Sequence, residues 1–177
     1  MTVAEDLITQ RLQIHPLNDM EMSSLMNGMD KLEMKLGITV SCEEPNPDLH
    51  MTVEWLALQM VVHGDEFPWW TVWHIRLREE QRSVGCLCFK GAPDDTGGVE
   101  IDYAFVYPRY YEQGIMTEAA GAVTDWALQQ NGVDYVMAEI ENWNEPAQRV
   151  LEKNGYQCYN KSGDSKFYWK RKTRPQQ

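Results

Sequence analysis

The sequence predicts an α+β fold with a central mixed, mostly antiparallel sheet of about seven strands flanked by helices. Three observations support this prediction. A strand-like segment precedes a helix-rich stretch, three strand-like segments then follow one another, and a helix, a strand and a helix come before a closing strand pair. This order is typical of a mixed sheet with helices on its faces, and not of a doubly wound parallel sheet.

The N-terminal third combines one strand with three helices. Residues 11–17 alternate in polarity as a strand does, and residues 18–36 carry Met and Leu at helical spacing. Gly28 interrupts this second segment, so we expect two short helices there. Residues 48–63 are typical of a longer helix, because a proline stands at its start and a glycine just past its end.

The second part of the chain supplies most of the sheet. Strands are expected at residues 70–77, 83–90 and 99–107, and the turn APDDTGG makes the last two an antiparallel hairpin. The remaining elements are a helix closed by Asn-Gly, a strand, a short helix and a closing strand pair, at residues 117–130, 134–141, 145–154, 156–160 and 166–171.

Length and charge limit the possible functions. The 177 residues favour one domain spanning residues 1–177, as a monomer or homodimer. A net charge of −11 argues against a nucleic-acid partner and is compatible with a cationic acceptor, although solubility is the preferred explanation of the acidity. No apolar run has the length of a membrane span, and the N-terminus lacks a signal-peptide pattern. We expect a cytoplasmic protein without a membrane partner.

The four cysteines do not predict a metal site. Cys86 and Cys88 lie two apart in a strand and so share a face, whereas Cys42 and Cys158 are isolated. No second closely spaced Cys/His pair completes a zinc site, so we interpret all four as reduced, mostly buried thiols and expect no metal.

The most informative segment is VEIDYAFVYPRYYEQGIMT, at residues 99–117. A strand ends at Tyr107, Pro108 blocks further pairing, and a loop containing Gly114 leads into a helix. The unpaired N–H groups and the positive dipole end of a helix N-terminus suit a phosphate. Taken alone, Gly114 is more often a turn device, and neither a Rossmann nor a P-loop fingerprint is present.

Two motifs together identify a family. The chain has TEA at residues 117–119 and N-x-x-A-x-R-V-L-E-K-x-G-Y at residues 144–156. This pair resembles the GNAT superfamily, and in particular the branch related to ribosomal-protein N-terminal acetyltransferases. Arg-Leu at residues 11–12 and Val-Glu-Ile at residues 99–101 also match that branch. The resemblance covers roughly residues 10–172 and is silent on the acceptor.

The resemblance implies acetyl-CoA as the acyl-donor cosubstrate. The family's phosphate loop, R/Q-x-x-G-x-G/A, falls on residues 111–116; Gly114 matches, whereas Tyr111 and Met116 depart from the pattern. The implied cofactor-binding residues are two whose backbone pairs with the pantetheine arm, six in the loop and one Asn near that arm: Phe105, Val106, Glu112, Gln113, Gly114, Ile115, Met116, Thr117 and Asn144. Asn144 is equally well explained as a helix N-cap.

The resemblance also implies the catalytic candidates. Glu100 aligns with a carboxylate that deprotonates the amine through water, although it could equally be a solvated sheet residue. Asp102 shares its strand face and could assist or bind a cationic acceptor. Ala147 and Leu151 replace the usual Ser and Tyr, and neither can protonate the departing thiolate.

The sequence leaves alternatives for the group that protonates the thiolate and for the residues that line the acceptor pocket. Tyr156, Tyr159 or a water could protonate the thiolate. Trp69, Trp70 and Trp73 are expected in the core, and an acceptor-pocket wall is the alternative.

We therefore expect an N-acetyltransferase that moves an acetyl group from acetyl-CoA to a primary amine by direct attack in a ternary complex. The acceptor is a protein N-terminus or a small amine. The alternative, suggested by Ala147 and Leu151, is a catalytically weak acyl-CoA-binding sensor or regulatory module.

Overall fold

The structure is a computed structural model that describes residues 5–41, 47–162 and 166–172, without the side chains of Pro47 and Tyr103. Its strands are Leu7–Ile8 (β1), Leu12–Pro16 (β2), Val72–Leu77 (β3), Arg82–Phe89 (β4), Gly98–Val106 (β5), Tyr135–Glu141 (β6), Gln157–Ser162 (β7) and Lys166–Lys172 (β8). Its helices are Asp19–Met26 (α1), Met29–Leu36 (α2), Pro47–Val62 (α3), Ile115–Ala127 (α4) and Glu145–Lys153 (α5), with 3₁₀ turns at Gly64–Trp69 and Pro108–Tyr110.

All described strands form one sheet in the order β1-β2-β3-β4-β5-β6-β8-β7. Every neighbouring pair is antiparallel except β5 and β6, which are parallel. The predicted mixed, mostly antiparallel sheet is confirmed, including the β4–β5 hairpin. The structure has eight strands within the described ranges, where the sequence indicated about seven. The additional strand, β1, has two residues and is too short to show an alternating pattern.

Two apolar layers enclose the sheet. One layer joins the sheet to α4 and α5, and the other joins it to α1, α2 and α3. Trp69 and Trp73 lie in the first layer, where both rings pack against Trp126, so the expected core packing is confirmed for these two. Trp70 is half-buried, and its ring centroid lies 5.9 Å from that of Trp55 on α3.

The cysteine prediction is confirmed for the two strand residues. Cys86 and Cys88 are buried thiols that pack in the layer of α1, α2 and α3, and burial raises the pKa of Cys86 above its usual range. Cys158 is free and half-buried, and Cys42 lies outside the described residues.

No described helix is long and apolar enough to cross a membrane. Among the described residues, no group of three or more His, Cys, Asp or Glu side chains is arranged to hold a metal.

His15 on β2 lies between two carboxylates. Its Nδ1 is 2.5 Å from Asp6 Oδ1, and its Nε2 is 2.9 Å from Glu21 Oε2. Burial opposes the imidazolium, but the hydrogen bonds to Asp6 and Glu21 outweigh it and raise the pKa of His15. Burial likewise opposes the Asp6 carboxylate, yet bonds from His15 and Gln13 lower the pKa of Asp6. His15 in its charged form therefore links Asp6, before β1, to Glu21 on α1.

His15→Gln is expected to remove a pH-dependent part of the stability. A raised pKa means that the imidazolium stabilises the fold fully below the unfolded value of about 6.5, and that this contribution is lost as pH rises through the folded pKa. Wild type should lose about 1 kcal/mol more than the variant between pH 6 and pH 9. Thermal unfolding of both proteins across this range measures the difference. Parallel stability curves would show that the charge of His15 contributes nothing to the pH dependence of stability.

Candidate active site

The N-terminus of α4 is open toward solvent. Gly114 caps the helix with φ 73°, and Glu112 in the same loop has φ 61°. Both angles lie in the left-handed region, which glycine adopts without strain and glutamate does not. The N-cap residue makes no side-chain hydrogen bond to the helix. The Glu118 N–H donates to Gly114 O at 3.0 Å, which is the first hydrogen bond of the helix. Preceding N–H groups and the dipole therefore face outward and suit an anion.

An ion pair holds this loop against β2. Arg11 Nε donates to Glu118 Oε2 at 2.7 Å, and Arg11 Nη1 donates to Gln113 O at 2.9 Å. Burial opposes the Glu118 carboxylate, but hydrogen bonds from Thr9 and Arg11 lower the pKa of Glu118. The sequence drew attention to Arg11 and to the TEA motif separately, and the structure brings them into one contact that fixes the shape of the loop.

A cleft opens between β5 and β6. Their parallel pairing runs from Gly98↔Tyr135 to Ile101↔Ala138 and stops there, whereas β5 continues to pair with β4 as far as Val106. The β6-facing edge of residues 102–106, which includes Phe105 and Val106, is therefore without a strand partner in the described structure. This edge leads directly to the loop before α4.

A β-bulge marks the point where the cleft begins. The β4–β5 register changes from Cys88↔Tyr103 to Phe89↔Ile101, which leaves Asp102 as the extra residue of β5. A bulge bends its strand and redirects a side chain. Here it turns β5 away from β6 and leaves Asp102 exposed.

Gly85 on β4 is a site residue that the sequence analysis missed. A Cβ at Gly85 would lie 2.1 Å from Phe105 O, closer than any side chain can approach. Gly85 thus sets the position of the β5 segment that borders the cleft. The available signal was a glycine inside a strand pattern, which often marks close backbone approach.

Glu100 and Asp102 lie on the sheet face opposite α4. Their neighbours Val99 and Ile101 pack in the α4 layer, so Glu100 points to the other side. Lys90 Nζ lies 3.3 Å from Glu100 Oε1. The Coulombic attraction of Glu100 is the main cause of the raised pKa of Lys90, and Asp102 contributes to it. The carboxylates therefore already attract a cationic amine.

A shallow groove of about 330 Å³ lies beside these acids. Its lining combines charged strand residues with side chains of α3: Lys90, Asp102, Met51, Thr52 and Trp55. The groove offers an amine a charged end and an apolar wall.

Comparison with known proteins identifies the family. The family described as Acetyltransferase (GNAT) domain matches residues 11–157. The chain belongs to the GNAT acetyltransferases. It is also 28% identical over 163 residues to the uncharacterized N-acetyltransferase YjdG of Bacillus subtilis (strain 168), covering 92% of this chain and 95% of that protein.

Solved GNAT structures share the fold. The ribosomal-protein-S5-alanine acetyltransferase from Vibrio fischeri superimposes with a TM-score of 0.68 at 12% identity, covering 97% of this chain and 98% of the other. The ribosomal L7/L12 alpha-N-protein acetyltransferase RimL, in complex with coenzyme A, gives a TM-score of 0.66 at 12% identity, covering 95% and 98%. Both lie in the branch that the two sequence motifs indicated.

Asn144 serves as the N-cap of α5 in this GNAT domain. Its Oδ1 accepts from the Ala147 N–H at 3.2 Å, so the N-cap interpretation is confirmed. The cap uses the side-chain oxygen and leaves the Nδ2 donors for another partner. Leu151, at the position of the usual family tyrosine, is buried in the α4 layer.

The structure argues against Tyr156 as a catalytic residue. Tyr156 is 4% exposed, and its hydroxyl shares a 2.8 Å hydrogen bond with Thr124 Oγ1 of α4. Burial raises the pKa of Tyr156 to about 12. The hydroxyl therefore has a structural partner inside the α4 layer, on the opposite side of the sheet from Glu100. Tyr159 differs, because it is exposed and Glu100 is among the groups that raise its pKa, after desolvation as the main cause.

Proposed function

We propose that this GNAT protein transfers an acetyl group from acetyl-CoA to a primary amine by direct attack in a ternary complex. The observation that carries the proposal is the cleft between β5 and β6, which runs from a carboxylate pair to the uncapped N-terminus of α4. Acetyl-CoA supplies an activated acetyl thioester. The chain supplies an anion site, a strand edge and a base.

The cofactor-binding residues of the proposal lie along this cleft. The N–H groups from Gln113 to Thr117 would hold the phosphates, with Gly114 permitting close approach. The open edge of β5 at Phe105 and Val106 would pair with the amide groups of the pantetheine arm as an added strand does. The Nδ2 of Asn144 would donate to the same arm. All remain roles that we propose for these residues.

Glu100 is the proposed base, with Asp102 binding the incoming amine. Only the neutral amine attacks, and an α-amine has a pKa about 2.5 units below that of lysine, so it demands less of the base. Direct attack is favoured over an acyl-cysteine because Cys86 and Cys88 are buried, and burial raises the pKa of Cys86. A thiol kept protonated is a poor nucleophile.

The proton for the departing thiolate would come from Tyr159 or a water. Tyr159 is exposed, and a phenol with an ordinary pKa of about 10 is already protonated near neutral pH. Desolvation, and then nearby groups that include Glu100, raise the pKa of Tyr159 further. The acceptor is a protein N-terminus or a small amine, and the RimL and S5-alanine acetyltransferase relatives favour the first. Nothing in the described structure favours the acyl-CoA sensor that Ala147 and Leu151 suggested. A cytoplasmic location remains part of the proposal.

Coenzyme A is expected to raise the melting temperature, because a ligand that binds only the folded state stabilises it by mass action. At about 100 times the Kd the gain should be about 2.7 kcal/mol. Differential scanning fluorimetry with coenzyme A and acetyl-CoA measures the shift. Pantetheine, which carries no phosphate, serves as the control. A thiol-release assay with acetyl-CoA and a panel of amines then tests transfer. No shift in melting temperature at millimolar coenzyme A would contradict the proposed binding site. If none of the amines in the panel causes thiol release, the proposed acetyl transfer is contradicted.

A further inference from the structure

Helix α3 carries apolar side chains on two opposite sides. An inner stripe packs in the core against the sheet, and consists of Leu49, Val53, Leu56 and Met60. An outer stripe repeats the same spacing in solvent, and consists of Met51, Trp55, Leu58 and Val62, exposed by 66%, 41%, 67% and 72%. Surface helices normally turn polar residues outward, and an extended apolar patch marks a site of interaction.

The outer stripe begins at the candidate active site. Met51 and Trp55 line the groove that also contains Asp102 and Lys90. The Trp55 ring packs against Trp70 at a centroid distance of 5.9 Å, which gives the groove a braced wall. From this wall the stripe continues along α3 through Leu58 to Val62. A molecule that is longer than the groove and whose amine lies at the carboxylates would therefore extend over the stripe.

Charge and length restrict what that molecule is. Glu100, Asp102 and Glu139 all act on Lys90, and Glu139 is also paired with Lys166, so this end of the groove carries an excess of negative charge that suits an ammonium group. The eleven residue steps from Met51 to Val62 span about 16 Å of helix, which is the length of about five residues of extended chain. A small amine would cover the groove and leave most of the stripe exposed.

We propose that the acceptor is the N-terminus of a polypeptide whose residues after the first are bulky and apolar, and that the outer stripe binds those residues. The inference rests on the proposed acetyl transfer at Glu100. The terminal amine lies at the carboxylates, and the following side chains cover Trp55, Leu58 and Val62. A second copy of this chain is the less favoured occupant, because each copy carries a net charge of −11.

The test compares two octapeptides that begin with serine. One continues with isoleucine, leucine and phenylalanine, and the other with asparagine, glutamine and glycine. Leu58→Gln and Val62→Gln change exposed side chains of the stripe, and Met34→Gln on α2, where Met34 is 60% exposed, is the matched control. Each stripe variant should raise KM for the apolar peptide about tenfold, the equivalent of about 1.4 kcal/mol. It should change KM for the polar peptide little, and Met34→Gln should alter neither.

Fluorescence anisotropy of the labelled peptides, with coenzyme A present, separates docking from chemistry. Stripe-dependent binding without acetyl transfer would support the docking surface while overturning the proposed reaction. Equal affinity of wild type for both peptides, or stripe variants that behave like Met34→Gln, would overturn the docking surface. Sedimentation velocity tests whether a second copy of this chain covers the stripe. If wild type is a dimer, Leu58→Gln converts it to a monomer and the peptide preference is unchanged, the stripe binds a second copy and the proposal is overturned.

Discussion

Glu100→Gln is expected to lower kcat about a hundredfold at neutral pH, the lower range for loss of a general base. The amide keeps the shape of the side chain and cannot accept the proton of the attacking amine. The deficit should shrink as pH rises toward the pKa of the acceptor, where the free amine becomes abundant. A pH–rate profile with a working acceptor measures this, and coenzyme A affinity should change little because Glu100 lies on the sheet face opposite α4.

The control for this prediction is Lys90→Gln. It removes the same 3.3 Å ion pair but keeps the carboxylate, so it should lose far less activity than Glu100→Gln. If both variants lose activity equally, the ion pair and not the base is what matters. If Glu100→Gln keeps the height and shape of the wild-type profile, Glu100 is a sheet residue and Asp102 or a water chain becomes the candidate base.

Gly114→Glu is expected to weaken coenzyme A binding at least about a hundredfold, or about 2.7 kcal/mol. The substitution places a negative charge and a side chain at the helix N-terminus that would hold the phosphates. It also introduces backbone strain, because φ at Gly114 is 73°, and this costs roughly 1–2 kcal/mol of stability. Isothermal titration with coenzyme A, on protein shown to be folded by circular dichroism, measures the affinity.

Gly114→Ala separates strain from charge. Alanine experiences the same backbone strain, and the nearest atom to its Cβ would be Arg11 Nη2 at 3.6 Å, an ordinary contact. Both variants should therefore lose similar stability, but only glutamate should abolish tight binding. Equal coenzyme A affinity in the two variants would mean that the phosphates bind elsewhere.

The interpretation of the loop before α4 came from the sequence because its signals are local. Pro108 ends a strand, Gly114 precedes a helix, and each acts through its own backbone conformation. The order of helices and strands was predictable for the same reason, since apolar spacing reports the period of each element. The two short motifs at residues 117–119 and 144–156 then identified the family.

Contacts between distant segments were not predictable in this way. Arg11 and Glu118 are far apart in the chain, and only the pairing of β2 with β3 and the packing of α4 bring them together. Tyr156 is the last residue of a family motif, yet its hydroxyl bonds Thr124 because Tyr156, between α5 and β7, is buried in the α4 layer. The bulge at Asp102 likewise results from the register with β4.

Helix α3 shows most clearly which features follow from the sequence and which depend on the tertiary structure. The sequence predicted an apolar helix at residues 48–63, and the structure has it at Pro47–Val62. The stripe of Leu49 and Val53 and the stripe of Met51 and Trp55 follow the same spacing. Helical periodicity cannot choose between two equivalent stripes. The tertiary structure made the choice, because the inner stripe packs against the sheet and the outer one is left for a partner.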